Sequence, residues 1–434
     1  MRQYTNVITA YLIMFTLIIL VGIFQSWSIA LTILNYCLIS AVMTIGANIQ
    51  WGYAGLFSVG TTGFVALGGV AAVITSMPPV REAWAVGGTG VLSGLLLAFL
   101  TIVAAVQIWK RMRAGRMRAL TVTAVLLGGF ILYRFLFDPA VAAIEAVNPA
   151  GEGYLGGLGL HIIFSWIVGG ILAAGAAWVI GKVALGLRSD YLAIATLGIS
   201  EIIIAVIKNE DWLTRGVKNV NGIPRPVSYE VDLQADPDFI NMANWLGADI
   251  VEFSSLYVKI SYALLFVVVL AIIMWMSEKS LNSPWGRMMR AIRDNEEAAE
   301  AMGKDVTKRH LQVFVIGSAV CGIAGAMLTS LDGLLTPASY QPLRFTFLIW
   351  VMVIVGGSGN NWGAVLGGFL IWFLWIEVEP VGLWLMNVMT SGMPADSELR
   401  EHLLDTAAHM RLITMGLILL LVLRFSPRGL IPEK

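Results

Sequence analysis

Long apolar runs limit what this chain can fold into. Residues 7–24 form eighteen consecutive positions without a charge, the length that crosses the hydrocarbon core of a bilayer as one helix. Comparable stretches recur at 29–49, 55–76, 85–108, 119–137, 160–186, 189–208, 256–276, 310–331, 344–356, 363–380 and 409–424. Only 13% of the 434 residues are charged and 58% are hydrophobic, against about 25% charged in soluble domains. Such a chain cannot clothe a water-facing surface. Backbone groups in lipid must be satisfied within the structure, and runs of this length satisfy them as helices. The expectation is an all-α polytopic membrane protein, a single transmembrane domain over 1–434 with about 10–12 transmembrane helices. The 13-residue run 344–356 ends in glycine and reads as a half-helix.

Charge in the connecting segments tests that count. Segment 110–118, KRMRAGRMR, has five basic residues of nine and belongs on the cytoplasmic side by the positive-inside rule. Four passes precede it, so the N-terminus falls on that side too. Four more passes return 277–309, with seven Lys or Arg, and four more return the basic C-terminal segment RFSPRGLIPEK. The loops 209–255 and 381–408 then face outward, with eight acidic against three basic residues and four against one. Both termini are therefore expected in the cytoplasm. No small-x-small cleavage site follows the first run, which reads as an uncleaved first helix.

Two segments interrupt the apolar pattern with glycine and small polar residues: 52–69, GYAGLFSVGTTGFVALGG, and 356–368, GGSGNNWGAVLGG. Close helix packing explains such composition. So does a discontinuous helix along a water-filled path. Gly52, Tyr53, Gly55, Ser58, Gly60, Gly357 and Ser358 are the candidate path residues in these segments. Charges inside spans are costly and normally face a cavity or a partner, which adds Asp190, Tyr191 beside it, and Glu201 as further path candidates or interhelical contacts.

Several functions lack their residues. There is no G-x-x-x-x-G-K-[ST] loop for nucleotide phosphates and no H-E-x-x-H helix for zinc. The four histidines are not paired at metal-ligand spacing, no cofactor is implied, and a formal charge of zero offers no footprint for nucleic acid. Cys37 and Cys321 fall inside spans and read as small buried hydrophobes. Gly356-Gly357-Ser358-Gly359 matches a short G-x-S-G element of intramembrane serine proteases. That chemistry needs a histidine beside the serine, and His409 is the one available partner.

The exception to the oily background is Ser283–Val306, SPWGRMMRAIRDNEEAAEAMGKDV, with nine charges in 24 residues. Ser283-Pro284 starts a helix. Trp285, Met288, Met289 and Ile292 form an apolar stripe, while Arg287, Arg290 and Arg293 fall toward lipid headgroups or water. Asp294 and Glu297 have capping-box spacing for a second helix, NEEAAEAM, closed by Gly303. A helix of about two turns is marginal alone and needs a surface to dock on, its own loops or a partner.

Glu297-Ala298-Ala299 followed by Gly303 resembles the E-A-A-x-x-x-G loop of ATP-binding-cassette importer permeases. The wider stretch 283–311 is similar to the LivM type of permease from branched-chain amino acid importers. Segments 52–69, 187–203, 214–224, 352–368 and 425–430 resemble further elements of that family in its order. The resemblance implies a permease subunit of the bacterial inner membrane, not itself an enzyme. It implies a second homologous permease subunit, two ATPase subunits, a periplasmic solute-binding protein and an amino acid or related small polar solute. Arg290, Arg293, Asp294, Glu297, Ala298, Ala299 and Gly303 become the candidate ATPase-coupling residues. Residues 85–158 are longer than the family pattern and read as an inserted helical hairpin. Thr61 stands where the family has histidine. A self-sufficient secondary transporter or channel is the alternative reading.

Overall fold

The computed structural model describes residues 2–149, 151–187, 189–394 and 397–433; the side chains of 2–6, 189, 190 and 408 lie outside the described set. The main helices are α1 (Arg2–Phe24), α2 (Trp27–Ala54), α3 (Thr61–Ser76), α4 (Arg81–Arg111, with a π-turn at Trp84–Gly88), α5 (Arg116–Ala146), α6 (Ile163–Ala184), α7 (Ser189–Asn209), α8 (Ile250–Leu281), α9 (Pro284–Asp294), α10 (Glu296–Ala301), α11 (Val306–Asp332), α12 (Pro342–Gly356), α13 (Asn361–Met389), α14 (Glu398–Asp405) and α15 (Met410–Phe425), with short helices Asp211–Thr214, Glu230–Ala235 and Pro237–Leu246 between α7 and α8. Among the described residues, nine helices are long and apolar enough to cross a membrane, and α14 with α15 makes a tenth, bent by 56°.

Helix ends follow local chemistry. Ser26, Asp249, Asp305 and Asn360 each accept a hydrogen bond from a first-turn amide, of α2, α8, α11 and α13. Gly55 and Gly333 close α2 and α11 in the left-handed conformation. The span expected at 55–76 is shorter, and the run at 344–356, read as a half-helix, is short as expected. α3 and α12 have 16 and 15 residues, about 24 and 22 Å of helix, less than the roughly 30 Å hydrocarbon core. The reason is local: residues 55–60 and 357–360 are non-helical. The loops expected at 209–255 and 381–408 are shorter, because α8 begins at Ile250 and α13 runs on to Met389.

α2 and α11 occupy the centre, with 72% and 61% of their apolar windows buried. Small residues permit the close approach. No Cβ fits at Gly68, Gly322 or Gly325, each of which abuts the backbone of a neighbouring helix. Cys37 and Cys321 are both fully buried. One end of the bundle carries α9, α10 and the C-terminal residues, since Arg293 pairs with Glu433. α1 returns to that end: Tyr11 donates to the Trp362 carbonyl at the start of α13. The opposite end carries a two-residue antiparallel pairing, Val220 to Leu335 and Asn221 to Leu334, and a bridge from Pro79 to Gly156.

α4 and α5 form a hairpin at the rim. Only 17% and 6% of their apolar windows are buried, so most of their surface is apolar and exposed. The hairpin joins the bundle at the far end, where Phe137 meets Trp212 edge-on at 5.5 Å and Trp84 Nε1 donates to the Leu155 carbonyl at 2.9 Å.

Candidate functional site

The charged island folds as two short helices at one end of the bundle. Ser283 Oγ accepts from the Gly286 amide and Pro284 fills the first turn of α9. Met289 and Ile292 are buried against the bundle, with Trp285 and Met288 half-buried beside them. The cap of α10 differs from expectation. Asn295 makes it, accepting from the Ala298 amide at 2.9 Å, while Asp294 ends α9 and lies beside Arg293. Both residues are good caps; the extended backbone falls at Asn295. Gly303 takes φ +77 after α10, and its amide and that of Lys304 donate to Glu300 and Ala299 carbonyls, the Schellman closure expected of it. Ala299 packs inward. Glu297, Ala298 and Met302 are exposed, so α10 presents a capped acidic surface outward.

Arg293 does not face lipid or water as the stripe suggested. Its Nη1 donates to the Gly52 carbonyl at 2.5 Å and to Glu433 Oε2 at 2.8 Å, and its Nε to Asp294 Oδ1 at 3.2 Å. Burial by itself lowers its pKa. Hydrogen bonding and attraction to Glu433 and Asp294 outweigh that and hold the guanidinium above its ordinary value, so it stays charged. Arg290 is half-buried and lines a polar cavity of about 500 Å³ with Arg293, Asp294, Ser358, Arg428 and Glu433.

Arg293 thereby touches both glycine-rich segments. The Gly359 amide donates to Asn48 Oδ1 at 2.9 Å beside Gly52, and Tyr53 Oη reaches Asn361 Oδ1. Asn361 Nδ2 donates to Glu278 at 3.1 Å. Gly357 has φ +118, a conformation open to glycine alone, and packs against the carbonyls of Arg428 and Ile431. The tail caps α12 at this elbow: Leu430 and Ile431 amides donate to Val355 and Gly356 carbonyls, the last two of the helix, at 2.9 Å.

Beyond the elbow, α3 begins among hydroxyls. The Val59 amide donates to Thr196 Oγ1 at 3.0 Å, and Thr62 and Thr346 hydroxyls meet at 2.8 Å. Ser58, Thr61 and Ser200 hydroxyls are buried there without partners. Gly60 packs on the Thr196 carbonyl. Thr196, Ser200 and Thr346 were not singled out from sequence, because serine and threonine in apolar spans carry no distinctive spacing. Among the path candidates, Gly52, Tyr53, Gly55, Ser58, Gly60, Gly357 and Ser358 gather at the elbow and the start of α3. Tyr191 is 62% exposed and Glu201 is exposed, on α7 faces turned away from them. Asp190 has its side chain outside the described set. Ser358 sits beside Arg293, whereas His409 precedes α15 at the opposite end, so the serine and histidine needed for proteolysis are not brought together. Among the described residues no group of three or more His, Cys, Asp or Glu is placed to hold a metal.

The sequence is similar to those of known proteins. The family model for "Branched-chain amino acid transport system / permease component" matches residues 117–423. The probable branched-chain amino acid transport permease protein LivM of Methanocaldococcus jannaschii is 27% identical over 313 residues, 71% of this chain and 77% of that protein. The high-affinity branched-chain amino acid transport system permease protein LivM of Escherichia coli is 28% identical over 207 residues, 47% of this chain and about half (48%) of that protein. The fructose import permease protein FrcC of Rhizobium meliloti is 26% identical over 132 residues, 29% of this chain and 34% of that protein. No solved structure matches. The family model covers well over half of the chain, and the protein belongs to the family of branched-chain amino acid transport system permease components.

Proposed function

We propose that this permease component serves an ATP-driven importer for branched-chain amino acids or related small polar solutes. The observation that carries the reading is α10: six residues, capped by Asn295 and Gly303, with Glu297 and Ala298 exposed. A helix that short needs an external surface to bear load. A groove on a separate ATPase subunit is that surface in this reading, and α10 is the coupling helix.

The island's end is then cytoplasmic, in line with its basic loops, and the acidic loops 209–255 and 381–408 face a solute-binding protein outside. Two ATPase subunits and a second homologous permease complete the assembly in the bacterial inner membrane. The α4–α5 hairpin is an addition at its rim. Closure of the ATPases would move α9 and α10 as a unit. Arg293 transmits that displacement to Gly52 at the end of α2, and Glu433 carries it to the tail along the elbow. Arg290 and Asp294 flank the transmission point. The non-helical joints 55–60 and 357–360 are where the spans bend, and the hydroxyls at the start of α3 offer a polar solute replacements for water. This is alternating access through broken helices.

The experiment is reconstitution. The chain, its genomically neighbouring ATPases and binding protein are placed in proteoliposomes and leucine uptake is followed with and without internal ATP. Uptake that requires ATP, and that Glu297→Lys abolishes together with ATPase co-purification, is the expected result. Uptake by the chain alone without ATP would overturn the proposal in favour of a self-sufficient carrier or channel.

A further inference from the structure

A second cavity lies at the end of the bundle opposite the island, away from the coupling site. It has a volume of about 480 Å³ and is walled by α2, α8, the end of α11 and the segment around Arg225, within the roughly 300–1,000 Å³ range of small-molecule sites. Four charges of both signs line it: Lys259, Asp332, Arg225 and Glu230. Lys259 and Asp332 belong to membrane helices, where an ionisable side chain is expensive and marks a function by default.

The hydrogen-bonding inventory of the walls is incomplete in a specific way. Lys259 Nζ donates to the Ser28 carbonyl at 3.1 Å and to Ser28 Oγ at 2.5 Å, leaving one of three ammonium protons unused. Asp332 Oδ1 accepts from Tyr36 at 2.6 Å, and among the described residues Oδ2 has no protein donor. Asn35 is fully buried in the wall. Its Nδ2 donates to the Leu31 and Lys259 carbonyls, each at 3.0 Å, while its Oδ1 has no donor at all. The spare groups are thus one cationic donor and two acceptors, one of them charged. Arg225 and Glu230, paired with each other at 2.8 Å and half-exposed, add one group of each sign. Val258 and Leu331 supply an apolar wall between them.

We propose that this cavity, between Lys259 and Asp332, is a binding site for a zwitterionic α-amino acid. The ligand carboxylate accepts from Lys259 and Arg225. Its ammonium donates to Asp332 and to the orphaned Asn35 Oδ1. An aliphatic side chain lies on Val258 and Leu331. A ligand carrying one charge alone leaves the opposite charge of the wall desolvated without a partner, which costs more than the missing contact. The site is therefore a filter for the paired charges common to all α-amino acids, with little discrimination among their side chains. It rests on the transport reading above for the choice of leucine as probe.

The test is saturation-transfer NMR on the purified full-length chain in detergent. The probes are leucine, isoamylamine, which lacks the carboxylate, and isocaproate, which lacks the ammonium. Leucine is expected to bind the unaltered chain. Each analogue, and leucine with Lys259→Met, Asp332→Asn or the loop variant Arg225→Gln, is expected to bind about tenfold more weakly or worse, the loss of one charge-assisted hydrogen bond. Arg225→Gln lies outside the spans and keeps the test valid where an intramembrane variant fails to fold. No leucine binding, or binding indifferent to these substitutions and to the ligand's charges, would overturn the site. ATP-driven leucine uptake unaffected by the three substitutions would also overturn it and leave the transport proposal standing. Leucine binding with the expected charge dependence, but no ATP-driven uptake, would do the reverse.

Discussion

The Arg293 guanidinium stands 2.8 Å from Glu433 Oε2 and 2.5 Å from the Gly52 carbonyl. One side chain therefore ties three distant parts of the chain: the island, the end of α2 and the C-terminal tail. Arg293→Met leaves both a carboxylate and a half-buried carbonyl without a donor. Glu433→Gln leaves only a weakened hydrogen bond. The arginine variant should lose about 2 kcal/mol of stability and most ATP-driven uptake while keeping basal ATPase activity; the glutamine variant should lose less of each. Thermal unfolding and uptake in proteoliposomes, measured on both single variants and the double variant, check the ranking. Equal effects in both would show that Gly52 has no share in the interaction.

Gly303 tests backbone and contact separately. Its φ is +77, and no atom lies within 4 Å of where a Cβ would sit. A substitution there meets no steric wall and is penalised by conformation alone. Gly303→Asn, which tolerates the left-handed region, should retain ATPase co-purification. Gly303→Val should frustrate the left-handed turn at a cost of about 1–2 kcal/mol and weaken it. Pull-down of the ATPases at fixed concentration reads the difference.

Glu297 is exposed, and among the described residues its carboxylate has no ion-pair partner. Glu297→Lys should leave the unfolding temperature within error while ATPase association falls about tenfold. That is the scale of reversing one charge in an interface, about 1.4 kcal/mol or more. A drop in unfolding temperature as large as the loss of association would assign the residue to folding instead.

Cys37 and Cys321 are both free and fully buried. Neither should react with a membrane-permeant maleimide in the folded protein, and both should react after unfolding. Fast labelling of Cys321 in the native state would mean that α2 and α11 separate at Gly46, whose Cβ position lies 2.6 Å from the Cys321 sulphur.

The twelve apolar segments were legible because hydropathy is a local property. So were the island's outer limits, since Ser283-Pro284 and Gly303 act on their own neighbours. Asp294 and Asn295 were not separable by rule, because both side chains cap well and only the backbone decides between them. Arg293 was placed outward from its helical stripe, and its partner Glu433 lies 140 residues away, beyond any periodicity. Glu201 is conspicuous as a carboxylate in a span, yet it is exposed. Ser200, one residue earlier, is buried at the start of α3 and was passed over because a hydroxyl is not. The Lys259–Asp332 cavity is hidden for a related reason: each charge sits at the margin of its apolar run, 256–276 or 310–331, where a sequence reading assigns it to the interface.

The rim hairpin has a consequence for how the protein is handled. α4 and α5 lean on each other and meet the bundle chiefly through Phe137, Trp212 and Leu155 at one end. Along most of their length their surface is apolar and exposed, the kind of surface that lipid covers. Lipid filling that space would act as a mortar between hairpin and bundle, and a detergent that strips it should free the pair to swing about the attached end. Purification in mild detergent or in a native-lipid disc should keep the hairpin in register. Harsher extraction should leave the bundle intact with the hairpin adrift, a change that proteolysis within 147–153 would report.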